Sequence, residues 1–536
     1  MNKSKVMEII SDETLTYSQQ VLALARLAES EDTTIKRNPL WIKALQKGKV
    51  CDLNEGLAPY RPRYILPDYD LLLKKGCKFL ELEPATSLLE TCNNLLIFYK
   101  HLPSITSYPV YLGNFTDIFD KFEDEADDPL TEKILRCFLK HIDKTLCDSF
   151  VHANIGPKDN KISRLILKLT KEMQLAIPNI TLLYDKDITS KEFALASIDT
   201  MLTTSKPSFA NHKMYSKEHK NHPYGIASCY NALNIGGGGY TLPRLRLYEI
   251  SLEAKDISDF LDNVLPKYVT LILENIDQRI KFIVEESSFF KSNFLVKEGF
   301  VNQENFTGMV GVVGVAECVN NLIGIKDKAL GFGHTNDSEE LAIQVLSKIE
   351  EMVNNHQGLY CSGNNNHYEM HAQVGIDTDG TDDAPGCRVP VGYEPDLFNH
   401  LMLESKLHKY FPCGVGDIFK FDQTWTNSKE AILDIINGAF DKGMRYFTAY
   451  NEDNDVMLLR KYYNLKDSII IDITGDQFTN QKCFLYYNIP VYVGFLDDFH
   501  KLFRVDQCSI HEPARLWDAR CKSLYRAITK YIKWFA

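Results

Sequence analysis

Apolar residues recur along this chain at two spacings, and the alternation between them sets the expected fold. Residues 12–30 carry Leu15, Leu22, Leu24 and Leu27 broadly on one side, with Ser11 or Asp12 as a cap, which predicts a helix. Residues 160–175, 253–285 and 337–354 show the same 3.6-residue recurrence, the second as a long amphipathic stretch. MVGVVGVAECVNNLIG (309–324) is apolar and punctuated by glycine, the pattern of a buried strand entering a loop or helix. Between residues 55 and 120 short apolar runs are broken by prolines, as in APYRPRYILPDYD and HLPSITSYPVYLG, which predicts strands and turns around a wall or entrance. EDEADD (123–128) reads as a solvated turn. Strand and helix signals that alternate over this length predict an α/β fold with much parallel sheet. No short-period repeat and no low-complexity linker interrupts it.

Composition narrows the class. Of 536 residues, 44% are hydrophobic, enough for a large core and too many for wholesale disorder. A net charge of −12 argues against a general nucleic-acid binder. No run of about eighteen uninterrupted apolar residues predicts a membrane span. The opening MNKSKVMEIISDETLTYSQQ lacks an apolar signal core. Thirteen cysteines without framework spacing predict reduced thiols and a cytoplasmic location.

The densest chemical signal is YGIASCYNALNIGGGGYTLPRLRL (224–247). Cys229 sits in a small-residue loop, followed by the run Gly236, Gly237, Gly238 and Gly239. Glycine permits close backbone approach and positive φ. A cysteine beside such a run is a candidate for a reactive position inside a cavity. The competing reading is a buried cysteine acting as a small hydrophobe. The run does not fit the dinucleotide fingerprint, because Pro243 argues against a helix opening there. His367 and His371 would share a helix face in HYEMH, but the surrounding NNNHYEMHAQVGID reads as a strand, and no metal site is predicted. DTDGTDD (377–383) departs from a calcium loop at Gly380 and at Arg388, and reads as a polar loop. No CxxC pair supports a zinc site.

GIASCYNALNIGGGGYTLPRLRL resembles the cysteine loop of glycyl radical enzymes, in the branch near the anaerobic class III ribonucleotide reductases, and most closely the YjjI-type family. APYRPRYILPDYD, FLEL, SITSYPVYLG, PNITLLYD, GMVGVVGVAECVN, GCRVPVGYEPDLFNH and CGVGDIFKFD occur in that family's order, over roughly residues 10 to 457. The resemblance implies a ten-stranded α/β barrel of two five-stranded parallel halves set antiparallel, with surrounding helices. A finger loop through the middle would carry Cys229 as the thiyl radical that abstracts hydrogen from an unknown small substrate under anaerobic conditions. Glu317 and Cys318 in VAECVN and Glu394 in VGYEP are second-rank candidates for the same cavity, with packing or hydrogen bonding as their competing reading. No bound cofactor is implied. The radical would be installed by a radical S-adenosylmethionine activating enzyme, and relatives of this kind are commonly homodimers. The missing nucleotide-binding cone and zinc cysteines weigh against ribonucleotide reduction itself.

The same family needs a radical-bearing glycine in a pattern like R-[IVT]-x-G-Y soon after MRYFTAYNEDNDVM (444–457). The chain continues LLRKYYNLKDSIIIDITGDQF instead. Gly392 in RVPVGY stands one residue too far from Arg388 and too early. Gly475 in DITGD lacks the arginine and tyrosine, and Gly494 in VYVGF lacks the arginine. The radical glycine is therefore unassigned. Residues 1–457 read as the barrel. Residues 458–536 read as an atypical segment that resembles a fragment of a papain- or transglutaminase-like domain, with Asp472 in the acidic place and no nucleophile segment before it. Two functions stay open: a glycyl radical enzyme, and a catalytically inactive homologue or binding scaffold.

Overall fold

The structure is a computed structural model. It describes residues 3–451, apart from 13–14, 16, 31–34, 53–59, 103, 105–107, 147–149, 221 and 373–382, together with the short strands at 483–485 and 489–491. The DTDG portion of the polar loop and Gly475, Gly494 and Asp472 lie outside the described residues. Up to residue 451 the strands in chain order are β1 (Val50–Asp52), β2 (Tyr64–Leu66), β3 (His152–Ile155), β4 (Asn179–Tyr184), β5 (Ser208–Asn211), β6 (Tyr224–Ala227), β7 (Asn231–Asn234), β8 (Gly237–Thr241), β9 (Pro243–Arg246), β10 (Phe306–Val313), β11 (Glu369–Ala372), β12 (Asp417–Phe421) and β13 (Tyr446–Asn451).

They form two sheets and a hairpin. One sheet has the order β12-β13-β5-β4-β3. Its strands β3, β4 and β5 are mutually parallel, each joined to the next through a helix, at Lys161–Met173 and Lys191–Thr204. The β12–β13 pair is also parallel, joined through the helix Lys429–Asp441. It meets β5 antiparallel. In the other sheet β8 and β9 are one line of chain interrupted at Leu242. β8 runs parallel to Phe306–Gly308 and β9 parallel to Gly311–Val313 of β10. β11 lies parallel to β10, and β2 and β1 lie antiparallel to β8 and β9. Parallel neighbours joined through helices are what alternating strand and helix signals predict.

The helices begin where the sequence supplies a cap. Asn160 accepts from the Ser163 amide, and Ile162, Ile166, Leu167 and Leu169 of that helix are buried. Ser87 and Glu90 form a capping box ahead of Leu88–Lys100. These caps explain the main departure from the expected elements. Among the described residues of 55–120 there is one strand, β2, and the other main elements are helices, at Tyr69–Lys75, Leu88–Lys100 and Phe115–Phe119. Its prolines and polar residues punctuate helix starts, with Asp68 capping the helix after Pro67 and Asn114 capping Phe115–Phe119. The predicted helices at 160–175, 253–285 and 337–354 are present, as is the strand-into-helix at 309–324, seen as β10 and Val315–Leu322. The first helix begins at Tyr17, so Leu15 precedes it. Glu369, Met370 and His371 of HYEMH are extended in β11, with His367 just before it.

Strands β3, β4, β5 and β13 of the five-stranded sheet are buried on both faces, the edge strand β12 exposes Lys420, and the two faces differ. Phe209, Phe419 and Phe447 belong to the helix-covered face, where the Phe419 and Phe447 rings stack at 4.8 Å. The other face carries His152, Asn154, Thr181, Ser208, Tyr446 and Thr448, all buried and at alternate positions of their strands. A sheet packed on both sides is usually apolar throughout. The polar face is therefore the part of the core that calls for a chemical account.

Candidate active site

The hairpin β6–β7 bridges the two sheets in the chain path. It follows β5 and the helix His212–Glu218, and β7 passes into β8 through only Ile235 and Gly236. Its tip is Ser228–Cys229–Tyr230, with Ser228 at φ 58°. Cys229 is half-buried at this tip.

The polar face of the five-stranded sheet holds the hairpin by its backbone. The Asn154 amide donates to the Ile226 carbonyl at 2.9 Å and accepts from the Ile226 N–H at 2.8 Å. His152 Nδ1 lies 2.6 Å from the Ser228 carbonyl, and its Nε2 lies 2.8 Å from the Thr181 hydroxyl. A carbonyl only accepts, so Nδ1 carries the proton and Nε2 accepts from Thr181. Burial pushes the His152 pKa down to about 4, against the pull of the Ser228 carbonyl, so the ring is neutral at physiological pH. The Thr181 proton being given to His152, the Tyr446 hydroxyl shares its single proton between the Thr181 oxygen at 2.9 Å and the Cys229 carbonyl at 3.2 Å. The Ser228 amide donates to Val110, in the extended segment that follows Tyr108. Both carbonyls of the Ser228–Cys229 turn are thus anchored, which fixes where the thiol stands.

Glycines clear the hairpin's path. A side chain at Gly225 would place its Cβ 2.6 Å from the Tyr111 ring, and one at Gly414 would place it 2.3 Å from the Tyr230 carbonyl. The Tyr230 ring stacks on His371 at 5.5 Å, and its hydroxyl donates to the Ala372 carbonyl in β11.

Cys229 borders a cavity of about 30 Å³, walled by His152, Asn179, Lys206, Ser208, Tyr230, Arg388, Tyr446 and Thr448 together with Ile180 and Ile418. This is room for about two water molecules. Lys206 is fixed by three carbonyls, those of Leu175, Ala176 and Pro178, at 2.8–3.0 Å. A far larger groove of about 730 Å³ opens between the helices Pro129–Thr145 and Lys161–Met173. Of its wall charges Arg136 and Lys168 pair with Glu132 and Lys161 pairs with Asp127, and no cysteine lines it.

Behind Arg388 lies a buried ionic cluster. Its Nε donates to the Gly416 carbonyl at 2.5 Å and sits 3.5 Å from Asp417 Oδ1. Asp417 Oδ2 is 2.7 Å from His400 Nε2. Burial works against charge on both groups. Even so, their attraction holds Asp417 down at about 2 and His400 up at about 9, an ion pair at neutral pH. Glu404 is fully buried, and burial together with the Asp417 charge pushes its carboxyl well above the ordinary range, so it keeps its proton. His408 is neutral, driven down to about 3 by burial, and its Nε2 lies 2.7 Å from Glu404. These imidazole–carboxylate contacts are hydrogen bonds, closer than two ligands of one metal shell stand.

Of the candidate site residues Cys229, Gly236 to Gly239, Glu317, Cys318 and Glu394, Cys229 alone borders this cavity. Gly237, Gly238 and Gly239 belong to β8 and face protein rather than a ligand. Added Cβ atoms would meet the Asn305 carbonyl at 2.1 Å, the Tyr64 carbonyl at 2.0 Å and Met309 Sδ at 2.7 Å, so the run serves strand packing. Gly236, at φ 72°, turns the chain out of the hairpin. Cys318 is wholly buried in the core, and burial pushes its thiol up. Glu317 faces the Ala384 amide at 3.1 Å and Lys328 at 3.7 Å; burial and Asp383 raise its carboxyl to about 7. Glu394 accepts from the Gly392 amide at 2.8 Å, and Gly392 itself is exposed. His152, Thr181, Ser208, Arg388 and Tyr446 were not anticipated. For the four strand residues the signal was present in HANI, NITLLY, SFAN and YFTAYN, where polar residues alternate inside strands that are otherwise apolar, whereas nothing of the kind marks Arg388 in its loop.

The two α/β sheets and the hairpin between them in the chain path have the fold of the glycyl radical enzymes. The chain superposes on an anaerobic ribonucleotide reductase from Thermotoga maritima with TM-score 0.59, covering 84% of this chain and 91% of that one at 16% identity. It matches a glycyl radical enzyme from Archaeoglobus fulgidus with TM-score 0.59, 87% and 82% coverage and 13% identity. More particularly, the chain belongs to the YjjI-like glycyl radical enzyme family, whose model matches residues 15–482. It is 44% identical over 471 residues to an uncharacterized protein of Haemophilus influenzae, covering 87% of this chain and 91% of that protein. It is 38% identical over 421 residues to the uncharacterized protein YjjI of Escherichia coli, with 78% and 81% coverage. No helix among the described residues is long and apolar enough to cross a membrane.

Proposed function

We propose that this chain catalyses hydrogen-atom abstraction from a small substrate, with Cys229 as the thiyl residue. The observation that carries the reading is the position of that thiol: half-buried, on a turn with both carbonyls anchored, at the edge of a small polar cavity. A sulfur radical needs shielding from water and a substrate held at contact distance, and a closed chamber supplies both. In the cycle a glycyl radical takes the hydrogen of the Cys229 S–H. The thiyl then takes a hydrogen from a substrate C–H and returns one to the product radical. The glycyl radical would be installed by a radical S-adenosylmethionine activating enzyme under anaerobic conditions, with no other cofactor bound and the enzyme working in the cytoplasm as a homodimer. The two sheets would be the halves of the ten-stranded barrel.

A second reading, an inactive homologue or binding scaffold, is favoured by one observation: no glycine in R-[IVT]-x-G-Y context follows residue 444. Electron paramagnetic resonance after anaerobic treatment with activase and S-adenosylmethionine separates the two. A glycyl doublet mapped to one residue establishes the enzyme. Its absence, with an activase proven on another enzyme, establishes the scaffold unless a separate protein supplies the glycine. Cys229→Ala should abolish turnover and leave any glycyl signal; turnover that survives it refutes the role of Cys229.

A further inference from the structure

The walls of the Cys229 cavity carry charge of one sign. Arg388 and Lys206 both line it, and no carboxylate does among the described residues. The two cations differ in what they leave available. Lys206 spends its ammonium on three main-chain carbonyls. Arg388 spends only Nε, on the Gly416 carbonyl and beside Asp417. Its terminal amino groups have no hydrogen-bond partner among the described residues, although the side chain is only 9% exposed. A buried guanidinium with its outer edge unpartnered is costly unless that edge meets an acceptor.

Asp417 does not cancel this charge. Its Oδ2 is already engaged by His400 at 2.7 Å, and its Oδ1 accepts the Ile418 amide at 2.7 Å. The set His400, Asp417, Arg388 and Lys206 holds three cationic side chains and one carboxylate, with Glu404 and His408 hydrogen-bonded to each other behind it. Asp417 and the Gly416 carbonyl act on one side of the guanidinium and fix its orientation, while its opposite edge remains for a ligand. The planar fork of an arginine matches a carboxylate with two parallel N–H···O bonds. The neutral polar groups around it, Ser208, Asn179 and Thr448, make a polar wall in which Thr448 donates to Ser208, and about 30 Å³ admits only a few heavy atoms.

We infer that Arg388 is the anchor for a small carboxylate, so that the substrate presented to Cys229 is a short-chain carboxylic acid held by its carboxylate. The inference rests on the proposed role of the Cys229 cavity and names what enters it. Asp417 and His400 are positioning residues for the anchor.

The test needs no radical, so its outcome is independent of activation. The reduced full-length protein is alkylated with iodoacetate and, separately, iodoacetamide, and labelling of Cys229 is read at the peptide level by mass spectrometry. The iodoacetate-to-iodoacetamide rate ratio on one thiol cancels its thiolate fraction, and normalising to the ratio for glutathione removes the intrinsic difference between the reagents. A ratio about tenfold above glutathione is expected, the size of one charge-assisted pair. Arg388→Gln should bring it to within about twofold of glutathione, and Arg388→Lys should fall between, because a point charge remains without the fork. Should Arg388→Gln fail to fold, judged by circular dichroism, protection of the wild-type protein decides. Acetate should slow iodoacetamide labelling of Cys229, and acetamide at equal concentration should not. A wild-type ratio equal to that of glutathione overturns the inference. So does equal protection by acetamide, or protection by inorganic phosphate without acetate. If the carboxylate effect appears and no glycyl radical forms, the anchor stands and only the radical reading fails.

Discussion

Asn154→Asp offers a direct measure of how the sheet holds the cysteine hairpin. Asn154 is wholly buried, and its amide both donates to and accepts from the backbone of Ile226. An ionised aspartate keeps the bond from the Ile226 N–H and loses the one to the carbonyl. Two acceptors then face each other at the 2.9 Å that the donor bond occupies now. A protonated aspartic acid has a hydroxyl and restores the donor. Burial without a counter-charge should lift the folded pKa by about 3 units, from ~3.9 in the unfolded chain to ~7. With the folded pKa above the unfolded one, the folded state binds the extra proton between those values, so stability falls as pH rises through that window. The variant should resemble the wild type near pH 4, lose ~1.4 kcal/mol per pH unit above it, and level off at a deficit of ~4 kcal/mol above pH ~7. Urea unfolding at about pH 5 and about pH 7.5, wild type subtracted, reads the difference. Amide exchange of residues 224–234 reads whether the opening is local to the hairpin. Asn154→Leu is the control and should lose ~2–4 kcal/mol at both pH values, because it leaves both Ile226 groups unpaired. An Asn154→Asp deficit that does not change with pH, or hairpin exchange equal to the wild type at the higher pH, would refute the account.

Two further outcomes are expected. His400 is held up at about 9 by Asp417 against burial, so its contribution is complete below the unfolded value near ~6.5 and is lost as pH rises through about 9. The stability gap between wild type and His400→Gln should therefore narrow across that alkaline window in urea melts; a constant gap would mean the ion pair is absent. Gly238→Ala and Gly324→Ala separate conformational cost from collision, since both glycines have positive φ. Gly238 would set a Cβ 2.0 Å from the Tyr64 carbonyl, whereas nothing lies within 4 Å of Gly324. Thermal melts should show a loss of roughly 1 kcal/mol at Gly324 and at least twice that at Gly238; equal losses would rule out packing of the glycine run as its purpose.

Local signals proved most informative where neighbouring residues alone decide the outcome. Amphipathic spacing located the helices Lys161–Met173 and Asn336–Asn355, and a continuous apolar run located β10. Proline spacing misled in 55–120, because a proline disfavours strand and helix interiors alike and does not say which element it borders. The capping residues Asp68, Ser87, Glu90 and Asn114 held the missing information. Glu317 and Cys318 in VAECVN were second-rank candidates for the cavity beside Cys229, but the first turn of Val315–Leu322 directs them to Lys328 and into the core.

By itself the sequence determined the alternation of strand and helix, the family signature and the candidate cysteine, Cys229, in its small-residue loop. Those properties reside in residues close together in the chain, where periodicity and turn chemistry act. Tertiary structure alone decided what surrounds that cysteine. His152, Thr181, Ser208, Arg388 and Tyr446 come from separate strands and a distant loop. Only sheet order brings their alternate faces together. The physical reason is that a side chain's charge, tautomer and partners depend on what is packed within a few ångströms, and in a parallel sheet those neighbours are set by pairing across long stretches of chain. The arginine with an unpartnered edge and the neutral histidine under the turn are consequences of that pairing.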